Sequence, residues 1–173
     1  QPEKDAAALG DLSQILFNFE VPTLPPPQGS TSTGQGNVNC GAAIGNEKIL
    51  CAAKAYNGLP YKNRGPGATF GHPPSAWVAG YERGDPAFRN LDCSGLVNVA
   101  MFKAFGQDMQ AFSGTYYVDR RFKKISLGEG RPGDLVIMGG PNGVGNAGHI
   151  AIFESFVNNK LQVFNAAGRG VRS

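Results

Sequence analysis

Charge is scarce in this chain: Asp, Glu, Lys and Arg make up 17% of its 173 residues, and the net charge is only +3. So small a basic excess excludes the strongly cationic surface of a nucleic-acid-binding protein, although it suits an anionic polymer weakly. No apolar run approaches the roughly 20 residues that a membrane-spanning helix needs. Histidine occurs twice and cysteine three times, with no metal-ligand spacing among them, so neither a metal nor an organic cofactor is implied. There is no internal repeat. The chain also starts at Gln1 without a methionine, which suggests that a leader has been removed and makes a secreted origin the expectation.

What is present reads as one domain behind an extension. Residues 5 to 19, "DAAALGDLSQILFNF", space Leu9, Leu12, Leu16 and Phe19 as a short amphipathic helix with Asp5 as its cap. "VPTLPPPQGSTSTGQGN" follows as an extended linker, so residues 1–37 form a helix and linker and residues 38–173 the main domain. In that domain "GNEKILCAAKAYNG" predicts a helix with Asn46 as cap and Gly58 past its end. Cys51 lies in that helix and Cys40 in the loop before it. In an oxidising compartment the two can pair, the alternative being two small unpaired buried residues. From Tyr61 to Asn90 the chain is crowded with Gly, Pro and aromatics and lacks periodicity, as in an ordered, functional loop.

"CSGLVNVAMFKAFG" then predicts a core helix starting at Cys93 and ending at Gly106. Three strand-like runs, "DLVIM", "HIAIF" and "LQVFN", come after it. Helices first and strands afterwards predict an α+β domain with an antiparallel sheet.

Cys93 is the odd thiol, at the first turn of a helix whose unpaired N–H groups and dipole favour thiolate. A nucleophilic thiol needs a base that can also protonate a leaving amine, a task suited to histidine. His72 lies in the aperiodic loop, whereas His149 opens a strand that can hold an imidazole in one orientation, so His149 is favoured. Asn165, closing the next strand, supplies an orienting acceptor in the Cys, His, Asn manner. His149 and Asn165 share a face only if Asn165 pairs with an odd-numbered residue such as Ala151. A plain two-residue turn at Asn158 and Asn159 would pair it with Ile152, so a turn of three or five residues, or a bulge, is predicted.

"LDCSGLV", "RPGDLVIM" leading to "GHIAIF", and a polar residue before "AAGRGV" together resemble the NlpC-type family of cell-wall cysteine endopeptidases. The resemblance runs from about Asn46 to Val171 and includes "GLPY". It implies a papain-like fold in which Cys93 attacks, His149 is base and acid, and Asn165 orients the imidazole. It further implies peptidoglycan stem peptides as substrate, commonly cut between D-isoglutamate and meso-diaminopimelate or lysine. By the same resemblance Tyr61 lies beside the nucleophile, while Asp92 and Ser94 contact substrate, often its free amino end. The stretch between Tyr61 and Cys93 is longer than the family's usual link, and Asn165 stands where the family often has histidine.

The resulting expectation is a secreted or wall-associated bacterial hydrolase acting as a monomer, with its amino-terminal segment able to cover the groove. Two other readings stay open: a related papain-like amidase or deamidase on another amide, and a catalytically silent wall-binding module.

Overall fold

The computed structural model describes residues 16–19, 39–62, 71–138 and 148–173, with backbone placement alone for the first of these. In chain order the elements are β1 (Leu16–Phe19), α1 (Glu47–Lys54), α2 (Pro74–Glu82), α3 (Cys93–Phe105), α4 (Ser113–Val118), β2 (Phe122–Ile125), β3 (Leu135–Met138), β4 (His149–Val157), β5 (Lys160–Ala167) and β6 (Gly170–Arg172). Among the described residues the strands of the sheet pair antiparallel throughout, in the order β2-β1-β3-β4-β5-β6. The α+β class and the antiparallel sheet expected from the sequence are therefore present.

α3 is the centre of the domain. Asp92 caps its start by accepting from the Gly95 N–H at 2.7 Å, and Gly106, at φ 69°, ends it in the left-handed region. Between these caps Leu96, Val97, Val99, Ala100 and Met101 are all buried, so the helix is apolar on nearly every side and must be enclosed. It packs against α1, α2, β4 and β5. Leu135, Ile137, Ile150, Ile152, Phe164 and Ala166 form the sheet face beneath the helices. Val136, Ala151 and Phe153 form a smaller apolar layer on the other face.

Three expectations need correction. Residues 16–19, read as the end of a helix, form β1 between β2 and β3; residues 5–15 and the linker at 21–37 lie outside the described residues. The leucines and phenylalanines counted there as a helical stripe equally suit a short strand, and pairing on both sides decides it. Asn46 does occupy the residue before α1, but its side chain makes no cap bond; its amide donates instead to Asp134 Oδ1 at 2.8 Å. The stretch 61–90, read as a loop, contains α2, whose Trp77 is fully buried and stacks on Tyr81 at 5.3 Å. Pro74 at the first helical position is a start signal that the surrounding glycines and prolines obscured.

The disulfide Cys40–Cys51 is formed, with its Cα atoms 5.8 Å apart. Closing so short a loop contributes about 3 kcal/mol on the chain-entropy estimate.

Two glycines explain motifs flanking the site. Gly133, at φ 95°, brings the turn before β3 so close to the carbonyl of Asn46 that a Cβ would lie 1.7 Å from it. Gly170, at φ 100°, brings β6 against Leu59, whose carbonyl accepts from the Val171 N–H at 2.8 Å. Gly58 donates to Val171 in return, and Tyr61 bridges to Leu91. The "GLPY" stretch is thus fastened between β6 and the residues just before Cys93.

Candidate active site

Cys93 is the first residue of α3 and the single cysteine outside the disulfide. Its thiol meets the N–H of Ile150, the second residue of β4, and the N–H groups of Ser94 and Cys93 at the helix start. These donors pull its pKa down, but burial, the largest influence, pushes it above the usual thiol value, and the Asp92 carboxylate adds to the rise. Helix-start amides alone would favour thiolate; here desolvation outweighs them. Burial thus favours the thiol form, against the thiolate favoured by position alone.

His149 opens β4, and its Nε2 lies 3.0 Å from Asn165 Oδ1. The bulge predicted from strand parity is what brings them together. β4 and β5 meet in a two-residue turn at Asn158 and Asn159, both at positive φ, with Val157 opposite Lys160. The register then slips between Phe153 and Ser155, leaving Glu154 as the extra residue, and Ile152 pairs with Phe164 beyond it. One added residue moves Asn165 from the face of Ile152 to that of Ala151 and His149. Glu154 itself turns to an ion pair with Lys54 on α1 at 3.0 Å.

The tautomer follows from this bond. Asn165 Nδ2 donates to the carbonyl of Arg172 at 3.5 Å, which orients Oδ1 toward the ring. Because Oδ1 only accepts, the neutral imidazole carries its proton on Nε2 and its lone pair on Nδ1. Burial lowers the His149 pKa from its ordinary value and the bond to Asn165 raises it by less. Cys93 and His149 are thus both biased toward their neutral forms.

Tyr61 lies beside Cys93 and Asp92: burial raises its phenol pKa most, and these two neighbours raise it further. Asp92 and Ser94, on either side of Cys93 and both nearly buried, line a cleft of about 240 Å³ together with Asn98, Gln110, Ala111 and Phe112. Of the residues singled out in the sequence, Asp92 and Ser94 line this cleft and Cys93 lies between them in the chain with Tyr61 beside it, while His149 and Asn165 pair across β4 and β5, His149 preceding the Ile150 whose N–H meets the Cys93 thiol. His72 is exposed and packs edge-on against Phe88 at 5.4 Å. Among the described residues no group of acidic, histidine and cysteine side chains is arranged to hold a metal ion, and no helix is long and apolar enough to cross a membrane.

Two polar residues escaped the sequence reading. Asn98, in the middle of an apolar helix, is buried and fully engaged by hydrogen bonds, and a lone amide in "GLVNVAMF" was the signal available. Asp134, wholly buried, accepts from Asn46 and from the Arg131 N–H at 2.8 Å each, tying the start of β3 to the start of α1. Its burial raises the carboxyl pKa.

The sequence model of the NlpC/P60 family matches residues 77–172, more than half of the chain. No curated protein and no solved structure is significantly similar to it.

Proposed function

The chain belongs to the NlpC/P60 family, whose members are generally cysteine peptidases acting on peptidoglycan, and from that premise we propose that it is a cell-wall hydrolase that cuts peptidoglycan stem peptides with Cys93, His149 and Asn165. The observation that carries the reading is the bond from His149 Nε2 to Asn165 Oδ1 at 3.0 Å, beside a thiol seated on the amide that follows His149. It leaves Nδ1 of His149 as the basic nitrogen.

With burial favouring the uncharged form of both groups, this reading has proton removal accompany attack. The Cys93 sulfur bonds to the substrate carbonyl carbon while its proton passes to Nδ1 of His149. The N–H of Cys93, at the positive end of α3, helps to hold the oxyanion. Collapse breaks the C–N bond, His149 returns the proton to the leaving amine, and water then hydrolyses the thioester. The D-isoglutamyl bond to meso-diaminopimelate or lysine is the bond we assign to this chemistry. Tyr61, Asp92 and Ser94 contact the substrate, the Asp92 carboxylate suiting an ammonium at its amino end.

The Cys40–Cys51 bridge supports a secreted or wall-associated setting, since such bonds persist in oxidising compartments. Residues 38–173, with β1 inserted in their sheet, constitute the catalytic domain in this reading. Alkylation by iodoacetamide tests it: modification of Cys93 should abolish release of peptide from purified muropeptides in proportion to the fraction alkylated. Full turnover by fully alkylated protein would exclude the thiol mechanism.

A further inference from the structure

The segment joining α3 to α4 has no regular structure, yet it is fastened at several points. Asp108 accepts from the N–H of Ser75, in the first turn of α2, at 2.9 Å and from its hydroxyl. Arg121 donates to Gln107 Oε1 and reaches Met109 Sδ. Both backbone groups of Ala111 are taken by the Asn98 side chain: Nδ2 donates to the carbonyl at 3.0 Å and Oδ1 accepts from the N–H at 3.4 Å. The Tyr116 hydroxyl donates to the same Oδ1 at 2.6 Å, from a fully buried position. Asn98 stands five residues after Cys93 on the same helix, so this backbone is locked to the element that carries the thiol.

The residues on either side of Ala111 are left pointing outward at the cleft. Gln110 is exposed and its amide has no hydrogen-bond partner among the described residues; Phe112 is 42% exposed, a large fraction for a ring on so constrained a backbone. We infer that Gln110 and Phe112 are specificity-determining residues for the substrate unit that enters this cleft, and that Asn98 is the positioning residue that sets them. A primary amide pairs with a peptide group in both directions, and the ring offers an apolar surface to a short aliphatic side chain. The cleft, at about 240 Å³, falls below the roughly 300 Å³ at which drug-sized ligands begin to fit. It takes a single residue-sized unit with its side chain beside an amide, rather than a larger group. This rests on the reading of the Cys93 site as a peptidase.

Steady-state kinetics on purified muropeptides test it, with Gln110→Ala, Phe112→Ala and the conservative Tyr116→Phe. Each should raise KM about three- to tenfold with kcat nearly unchanged, the signature of a lost hydrogen bond or ring contact present in both ground and transition states. The rate of Cys93 alkylation should stay at its wild-type value, which a merely disordered site would not preserve. KM values within about twofold of wild type for both Gln110→Ala and Phe112→Ala would overturn the inference. The peptidase reading fails by a different result, undiminished cleavage by Cys93→Ala, so the two are separable.

Discussion

At the residue scale the site is a balance between burial and hydrogen bonds. His149 is pulled down by desolvation and up by Asn165, with the first effect larger. Its acid limb in kcat/KM therefore lies below the ordinary histidine value, and activity rises with pH as the ring loses its proton. Asn165→Ala removes the opposing influence, so the limb should move to still lower pH. Loss of one neutral hydrogen bond also predicts a fall of about tenfold in kcat/KM. A pH–rate profile of the two proteins checks both; a limb that moves upward would contradict the assignment. Cys93 and His149 could be singled out in the sequence because each opens a strongly patterned element, and Asn165 because it is the polar residue that follows the apolar run of the next strand. The direction in which the thiol's pKa moves was not legible, because it depends on how deeply the start of α3 is covered, and that depth is a tertiary property.

At the element scale, the pairing of His149 with Asn165 depends on an extra residue, and the fastening of the "GLPY" stretch on a close approach. Parity alone called for a turn of three or five residues or a bulge, since two side chains that must meet leave few registers; the structure has the bulge, at Glu154. By contrast α2 and the joining of β6 to the "GLPY" stretch were hidden, since isolated glycines and prolines do not say what lies against them. Gly170 offers a test of that joining. Alanine there would need φ near 100° and place a Cβ 2.8 Å from the Leu59 carbonyl, so Gly170→Ala should cost about 1–3 kcal/mol and lower Tm by several degrees. Because Leu59 leads to Tyr61 and Leu91, activity should fall more than thermal unfolding alone explains. Scanning calorimetry alongside muropeptide kinetics measures the two effects; an unchanged Tm would show that this contact does not constrain the chain.

On the scale of the whole molecule, the amino-terminal segment is drawn into the sheet. β1 is the neighbour of both β2 and β3, so without it β2 loses its pairing and β3 presents an open edge. The sequence could not reveal this: four residues of ambiguous pattern become a strand through partners more than a hundred positions away. Removing residues 1–37 should therefore lower Tm and promote aggregation, whereas removing residues 1–15 should leave the sheet intact. Light scattering and thermal melts of the two truncations decide; equal melting of the shorter protein and wild type would mean that β1 adds nothing to the sheet.

Underlying all three scales is the assignment of Cys93 as the nucleophile. Its most direct test is the release of peptide from purified muropeptides by wild type and by Cys93→Ala, with folding of the variant verified by circular dichroism. The account predicts a loss of at least about a thousandfold in the variant; release at the wild-type rate would contradict it.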